Sequence, residues 1–425
     1  MTLSVSRARA NTLNSQTGTL KVVVINDFAH VNGGAAKVAI NSATALAERG
    51  YAVTFLAAVP PVASELTESP VQVVLTGQRD IKSDPNRFRA MTQGIWNRDA
   101  SRALGRILAQ SDRENTIVHI HGWSKALSSS VVRVAVLHGF SIVVTLHDYF
   151  YACPNGGFFN FPKTEICSLQ ALSLACLQEN CDRDGYPQKL WRSARQLVQN
   201  EYGFLSGRIK HFICLSGLSE QVLRPYLPND AHIYRVPHAI EFEKQEPVQV
   251  ALNTKFVGVG RLSREKGFDL LAHAAGSGGA EVTLVGDGPE RARIQSIEKR
   301  VRVTGWQSAS GVEKHLRSAR AFVLPSLVYE AQPVSVLEAA ALGVPAIVPD
   351  TCAARELVDD GVTGLWFRGG DATDLAKKVA FLQDGALAAR LGHAAYQKYW
   401  AAPYTMAGHI DSLELCYQLV LQSRS

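Results

Sequence analysis

From Lys21 onward the chain repeats one pattern: a short continuous apolar run, a loop that carries glycine, then a stretch with helical spacing. Continuous apolar runs suit strands covered on both faces, and a helical stretch after each run suits parallel βα units. One predicted set of strands comprises Val22–Ile25, Val53–Ala57, Val71–Leu75, Ile117–His121, Ile142–His147 and His211–Leu215. A second comprises Phe256–Gly260, Val282–Gly286, Val301–Thr304, Ala321–Leu324, Ala346–Val348 and Gly364–Phe367. The pattern is therefore α/β with two similar parallel sheets, and 425 residues are enough for two domains. Residues 241–250, EFEKQEPVQV, are charged, contain a proline and lack helical periodicity, so the hinge is expected at Pro237–Val250. This divides the chain into a first domain over 21–240 and a second over 241–395. Ala394–Gln422 reads as a terminal helix with Tyr396, Tyr399, Trp400, Leu413, Leu415, Leu419 and Val420 available to bury.

Composition adds limits to this picture. With 46% hydrophobic and 19% charged residues the chain is of ordinary globular type. The first twenty residues are polar and are expected to form a disordered tail, without the apolar run of an export signal. Val131–Leu146, the longest apolar stretch, is interrupted by Arg133, His138 and Gly139, so no membrane span is expected and the reading is cytoplasmic. Seven cysteines argue against a disulfide framework. Four of them, Cys153, Cys167, Cys176 and Cys181, crowd into one segment; structural zinc and separate thiols are both open, and the lack of a Cys-x-x-Cys pair weighs against zinc.

Residues 1–240 carry 24 Lys and Arg against 17 Asp and Glu, which suits an anionic ligand or surface better than nucleic acid. Within them, Phe88, Met91, Ile95, Leu104, Ile107 and Leu108 follow helical spacing, and Arg98, Arg102 and Arg106 recur every four residues on another face. That stretch is either a packed surface helix or a reversible dock for an anionic membrane.

The chemistry gathers at predicted strand ends. Glu330 and Glu338 lie where the strand Ala321–Leu324 gives way to a helix opening near Pro333 and stopping at Gly343, the kind of junction where open α/β sheets bind ligands. Free helix amides there attract an anionic group, and carboxylates beside it accept from hydroxyls, so a phosphorylated sugar is the implied ligand. Two glutamates alone fit a strand end and a solvated helix residue better than a ligand site, and it is the neighbouring loops that reverse this. Other loops join them: Asn32-Gly33-Gly34 opening a helix; His119, His121 and His147-Asp148 ending two strands; Arg261 and Lys266 within Gly258–Gly267; Gly286-Asp287-Gly288-Pro289; and Val303-Thr304-Gly305-Trp306, in which Trp306 is otherwise a packing residue.

Taken together, residues 21–395 resemble the retaining, nucleotide-sugar-dependent glycosyltransferases of the GT-B fold, family four. The resemblance implies two Rossmann-like domains facing each other across a deep cleft, with the last helix, 396–425, crossing back to the first domain. It implies that Glu330 reaches the transferred sugar and Glu338 the nucleotide ribose, that His147 contacts the transferred sugar, and that Arg261 and Lys266 bind the diphosphate. Gly286, Gly288, Thr304, Gly305, Gln332, Pro333, Val334 and Ser335 complete the implied donor site. Asn32, Gly33, Gly34, His121 and Asp148 face it from the acceptor side, with Asp148 either orienting His147 or capping a loop. Two departures stand out: Ala331 where glycine is common, and His238-Ala239-Ile240-Glu241 where the family often has Asn-Gly-x-Asp.

The implied activity is retaining transfer from a UDP- or GDP-sugar to a hydroxyl of a glycan or glycolipid, in bacterial surface polysaccharide synthesis. No cofactor and no metal are implied, and no Asp-x-Asp metal motif stands out. A sugar-nucleotide epimerase, a phosphorylase of the same shape and a non-catalytic sugar-nucleotide-binding protein remain the alternatives.

Overall fold

The computed structural model describes residues 20–423, and the expected tail lies outside them apart from Leu20. A seven-stranded sheet runs in the order Gln72–Leu75, Ala52–Val59, Lys21–Phe28, Thr116–Ile120, Ser141–Leu146, His211–Cys214, His232–Arg235. A six-stranded sheet runs Val301–Val303, Val282–Val285, Lys255–Val259, Ala319–Val323, Ala346–Pro349, Gly364–Phe367. All neighbouring pairs in both are parallel. Parallel strands lie buried under helices on both faces, and the run Val22–Ile25 accordingly feeds two cores. Val22 and Val24 pack in one apolar layer, Val23 and Ile25 in the other.

In each sheet the strand order reverses once, between Lys21–Phe28 and Thr116–Ile120 in the first and between Lys255–Val259 and Ala319–Val323 in the second. The crevice outside the carboxyl ends of such a pair is where these sheets bind ligands. The loops with Asn32, His121, Arg261 and Glu330 leave these four strands.

The predicted strands are present, with ends shifted by up to three residues. His232–Arg235 was not expected, because an edge strand that is half exposed and carries His and Arg shows no apolar run. The stretch 81–110 is two helices, Arg87–Ile95 and Arg98–Ala109. Asn97 breaks it: its side chain takes the amides of Asp99 and Ala100 as a cap, so the second helix starts afresh. Leu104, Ile107 and Leu108 are buried, whereas Phe88 and Met91 are 79% and 45% exposed, so the apolar residues do not share one buried face.

The terminal stretch is also two helices, parted around Pro403. Gly385–Ala401 stays with the second domain, where Tyr399 and Trp400 pack with Ile240, Leu337 and Ala341. Met406–Gln422 packs Ile410, Leu413, Cys416, Tyr417 and Val420 into one core of the first sheet, and Leu415 remains exposed. Residues 236–249 carry neither helix nor strand, and other contacts link the two halves. The Glu356 carboxylate accepts the amides of Gly217 at 2.8 Å and Leu218 at 2.7 Å, supplying a helix N-terminus in the other domain with its missing acceptors.

A cluster of histidines is sealed where the terminal helix meets the first sheet. His119 Nδ1 lies 2.6 Å from the Tyr417 hydroxyl and its Nε2 lies 2.7 Å from Thr145 Oγ1. His409 joins Ser42 Oγ and the Pro237 carbonyl, both at 2.8 Å. The His119 and His121 rings are 4.1 Å apart, and those of His147 and His238 are 5.3 Å apart. Burial, reinforced by neighbouring imidazoles, pushes His119 and His238 down to about 3 and holds His121 and His147 well below the ordinary range.

These rings are neutral in the fold and charge on unfolding, so below about pH 6.5 the unfolded chain binds more protons. Their stabilising contribution is complete above that pH and is lost as pH falls towards 3; each contributes a slope of about 1.4 kcal/mol per pH unit. Asp27, raised mainly by burial, acts with the opposite sign above about pH 4. Urea unfolding is expected to weaken steadily from pH 7 to 5, and His238→Phe, which removes one of these rings, to flatten the slope by about 1.4 kcal/mol per unit. A midpoint independent of pH over that range contradicts the cluster.

Candidate active site

Lys266 follows the strand Lys255–Val259 in a single turn, Arg264–Lys266, that ends at Gly267 with φ 66°. A Cβ at Gly267 would sit 2.1 Å from the Pro325 carbonyl oxygen, so only glycine lets this turn lie against the loop after Ala319–Val323. That approach brings Lys266 Nζ to 2.6 Å from Glu330 Oε1, which also accepts the Ser326 hydroxyl at 2.7 Å. Burial opposes charge on both partners; their mutual attraction overcomes it, holding the Glu330 carboxyl below and the Lys266 ammonium above their usual values. Among the described residues nothing donates to Glu330 Oε2.

The helix after this loop is Val334–Ala341, with Pro333 as its N-cap and Gly343, at φ 75°, just past its end. Its first two amides, Val334 and Ser335, lack partners within the helix, and that of Val336 donates to the Pro333 carbonyl at 3.1 Å. Glu338 lies in its second turn, half-buried, with its carboxyl raised by burial and partly restored by Lys37 in the helix that opens at Gly34. Lys37 had no sequence signal beyond its place one turn after Asn32-Gly33-Gly34. The Gln332 side-chain carbonyl accepts the His238 amide at 2.7 Å and so fastens the interdomain linker.

Gly286 and Gly288 have a packing reason. A Cβ at either would lie 2.0 Å from the Gly260 oxygen or 2.3 Å from the Leu262 oxygen, so they let the second turn nest on the Arg261 loop. The Thr304 hydroxyl turns to the Gly305 carbonyl at 3.0 Å, and Trp306 is 81% exposed, so it does not pack.

From the first domain, His147 Nε2 lies 2.9 Å from His121 Nδ1, leaving His147 Nδ1 and His121 Nε2 buried without partners. Asp148 caps its own turn by accepting the Phe150 amide at 3.0 Å, and makes no hydrogen bond to His147. Two residues after His147, the Tyr149 ring meets Tyr329 across the cleft at 6.0 Å, beside Glu330. Its buried hydroxyl is unpartnered, and burial with the Glu330 charge raises its pKa. Sequence reasoning passed over Tyr149, although it directly follows Leu146-His147-Asp148.

Asn32 and Arg261, one from each domain, line a single cavity of about 670 Å³ together with Lys125, Phe150, Trp191 and Arg195. At Gly33 and Gly34 a Cβ would meet nothing within 4 Å, so that loop is not tight for packing reasons. The same cavity touches an Asp-x-Asp triplet missed in the sequence, Asp182-Arg183-Asp184. Its carboxylates are engaged by Arg192, at 3.1 and 3.0 Å, and Lys82, at 3.3 Å.

All seven cysteines are unpaired. No group of three or more His, Cys, Asp or Glu among the described residues is arranged to hold a metal. Between Cys176 and Cys181, where a shared cation would sit, the buried Lys189 ammonium lies 3.3 and 3.2 Å from the two sulfurs.

Comparison with known proteins fits this arrangement. The family model described as Glycosyltransferase Family 4 matches residues 32–244, and that described as Glycosyl transferases group 1 matches 253–384. A GDP-mannose-dependent alpha-mannosyltransferase of Mycobacterium tuberculosis is 38% identical over 113 residues, 27% of this chain and 30% of that one. A lipopolysaccharide 1,6-galactosyltransferase of Salmonella typhimurium is 29% identical over 180 residues, 39% of this chain and 49% of that one. The matched stretch thus spans less than half the length of either relative. Among solved structures, sucrose-phosphate synthase of Thermosynechococcus elongatus superposes with a TM-score of 0.68 at 17% identity, over 95% of this chain and 100% of that one. The Anabaena protein HepE, solved with UDP and glucose, superposes with a TM-score of 0.64 at 15% identity, over 94% and 99%. These likenesses establish the GT-B fold. Two facing parallel sheets, a basic and acidic pair at the second switch point and family models over both halves lead to one assignment: the chain belongs to glycosyltransferase family four, the group 1 glycosyl transferases.

Proposed function

We propose that the protein transfers a sugar from a UDP- or GDP-linked donor to a hydroxyl of a glycan or lipid-linked glycan, with retention of configuration and without a metal. The observation that carries the reading is Lys266 held on Glu330 at 2.6 Å at the second sheet's switch point, with Arg261 on the same loop and an open helix N-terminus beside it. Departure of the nucleoside diphosphate develops negative charge on the bridging oxygen. One cation about 4 Å away contributes roughly 4 kcal/mol at an effective dielectric near 20, so Arg261 and Lys266 together can stand in for a metal.

The residual acceptor Glu330 Oε2 suits a sugar hydroxyl, Glu338 suits the ribose hydroxyls, and the first amides of Val334–Ala341 suit a phosphate. His147 Nδ1 offers the transferred sugar a buried hydrogen bond from the other side, with His121 bonded to its far nitrogen. Donor and product classes are supported by the relatives, whose names specify GDP-mannose-dependent mannosyl transfer and lipopolysaccharide galactosyl transfer. Synthesis of a surface polysaccharide on the cytoplasmic side of a bacterial membrane is the setting this reading implies.

Arg261→Ala and Lys266→Ala are expected to lower turnover by orders of magnitude while the protein stays folded, with the thermal midpoint lowered in Lys266→Ala, which leaves the Glu330 carboxylate without its cation, and EDTA to leave the wild-type rate intact. Proton NMR of the product's anomeric centre is expected to read a retained linkage. Full activity in both variants, a rate abolished by EDTA and restored by manganese, or an inverted product would each refute the corresponding part.

We also propose that the enzyme docks reversibly on anionic membranes through residues 87–109. Phe88 and Met91 are exposed there, and Arg98 and Arg106 form no ion pair among the described residues, while Arg102 pairs with Asp99 at 3.2 Å. Each basic residue near such a surface adds about 1 kcal/mol. Sedimentation with anionic but not neutral liposomes, lost at high salt and weakened by replacing the three arginines with glutamine, is expected. Absence of binding to anionic liposomes at low salt removes this dock.

A further inference from the structure

The cavity shared by Asn32 and Arg261 extends from the donor side into the first domain, and its inner wall is built from the helix Tyr186–Glu201. Two of its side chains carry hydrogen-bond donors that nothing in the protein uses. Trp191 Nε1 and Arg195 Nε are both buried and unpartnered. Arg195 is only 4% exposed, and its guanidinium makes one hydrogen bond among the described residues, Nη1 to the Ser124 carbonyl at 2.8 Å. Its guanidinium lies over the Trp191 ring at 5.1 Å and over the Phe150 ring at 5.6 Å, so both rings hold the cation in place. Lys125, exposed at the same wall, lies over the Phe28 ring at 5.6 Å and has no ion-pair partner among the described residues.

The acids nearby are already engaged. Asp27 accepts the amides of Lys125, Ala126 and Leu127. Asp182 and Asp184 pair with Arg192, Asp184 also with Lys82, and Asp148 caps its own turn. Asp80 accepts the amides of Lys82 and Ser83, and Glu265 pairs with Arg183. Asp27, Asp148 and Asp182 still act on Arg195 through their charge, and what the wall offers a ligand is two unused donors, Trp191 Nε1 and Arg195 Nε, beside the exposed Lys125 ammonium. A buried donor without a partner is costly, and buried unmatched donors are the places where a ligand's acceptors recover that cost.

Resting on the transferase reading above, we propose that this wall selects the acceptor: a saccharide bearing an anionic group, with its charge at Arg195 and Lys125 and an oxygen accepting from Trp191 Nε1. A carboxylate of a uronic acid and a phosphate ester share the needed chemistry, a negative group with two or more oxygens facing an arginine fork. Arg261 remains with the donor diphosphate, so the two anions share one cavity.

The test separates acceptor from donor. Calorimetry on the full chain first measures UDP and GDP; the protein saturated with whichever binds is then titrated with trigalacturonate, mannose 6-phosphate and neutral maltotriose. At least one charged probe is expected to bind tenfold or more tightly than maltotriose, with the two charged arms identifying carboxylate or phosphate. Lys125→Ala, at an exposed position, is expected to weaken that probe at least fivefold while leaving nucleotide affinity unchanged, and Arg195→Lys to weaken it likewise. Equal affinity for charged and neutral probes, no binding of any of the three, or a charged-probe affinity untouched by Lys125→Ala overturns the proposal. Nucleotide binding in the same samples reports on the transferase reading independently: should neither nucleotide bind, the probes are titrated into the unliganded protein, and that reading falls whatever the acceptor wall does.

Discussion

The contact between Lys266 and Glu330 constrains much of the second domain. An ion pair held in a half-buried crevice survives only when further hydrogen bonds and close geometry offset desolvation, and here Ser326 supplies the second donor. The Gly267 turn exists to permit it, and the nesting of Gly286 and Gly288 on the Arg261 loop fixes the adjoining wall. The carboxylate and the ammonium neutralise each other at 2.6 Å. In the proposed reaction a diphosphate competes for that ammonium, which leaves Glu330 free to turn to a hydroxyl of the sugar.

A second constraint is topological. Parallel sheets with one reversal of strand order present their loops at a single crevice each, and the molecule sets two such crevices opposite one another. The facing is held by contacts far apart in sequence: Glu356 on the amides of Gly217 and Leu218, Gln332 on His238, Tyr149 on Tyr329, and the terminal helix inserting Tyr417 beside His119. The cleft is consequently part of the fold's cohesion, and its buried imidazoles couple that cohesion to pH.

The strands were legible because burial on both faces leaves unbroken runs such as Val22–Ile25, and the ends of those runs located Arg261, Lys266, Glu330 and His147. The edge strand His232–Arg235 left no such trace. Helix continuity was overread twice, at Asn97 and near Pro403, where one capping side chain or one proline outweighs periodicity over the flanking turns. Roles that depend on distance were beyond reach: that Asp148 caps a turn, that Gln332 serves the linker, that Lys189 stands between two cysteines, and that Trp191 and Arg195 share a cavity with Arg261. Single polar residues carry no periodic signal, and their partners lie tens to hundreds of positions away.

The central claim is that Arg261 and Lys266 hold a diphosphate in this crevice, and calorimetric titration compares it directly with its absence. UDP and GDP, and uridine and guanosine lacking phosphate, are titrated into the wild type and into the Arg261→Ala, Lys266→Ala double variant. The account predicts that one nucleoside diphosphate binds, that its nucleoside binds at least a hundredfold more weakly, and that the double variant reduces the diphosphate to the level of the nucleoside. A nucleoside that binds as tightly as its diphosphate, or a double variant with undiminished affinity, would contradict it.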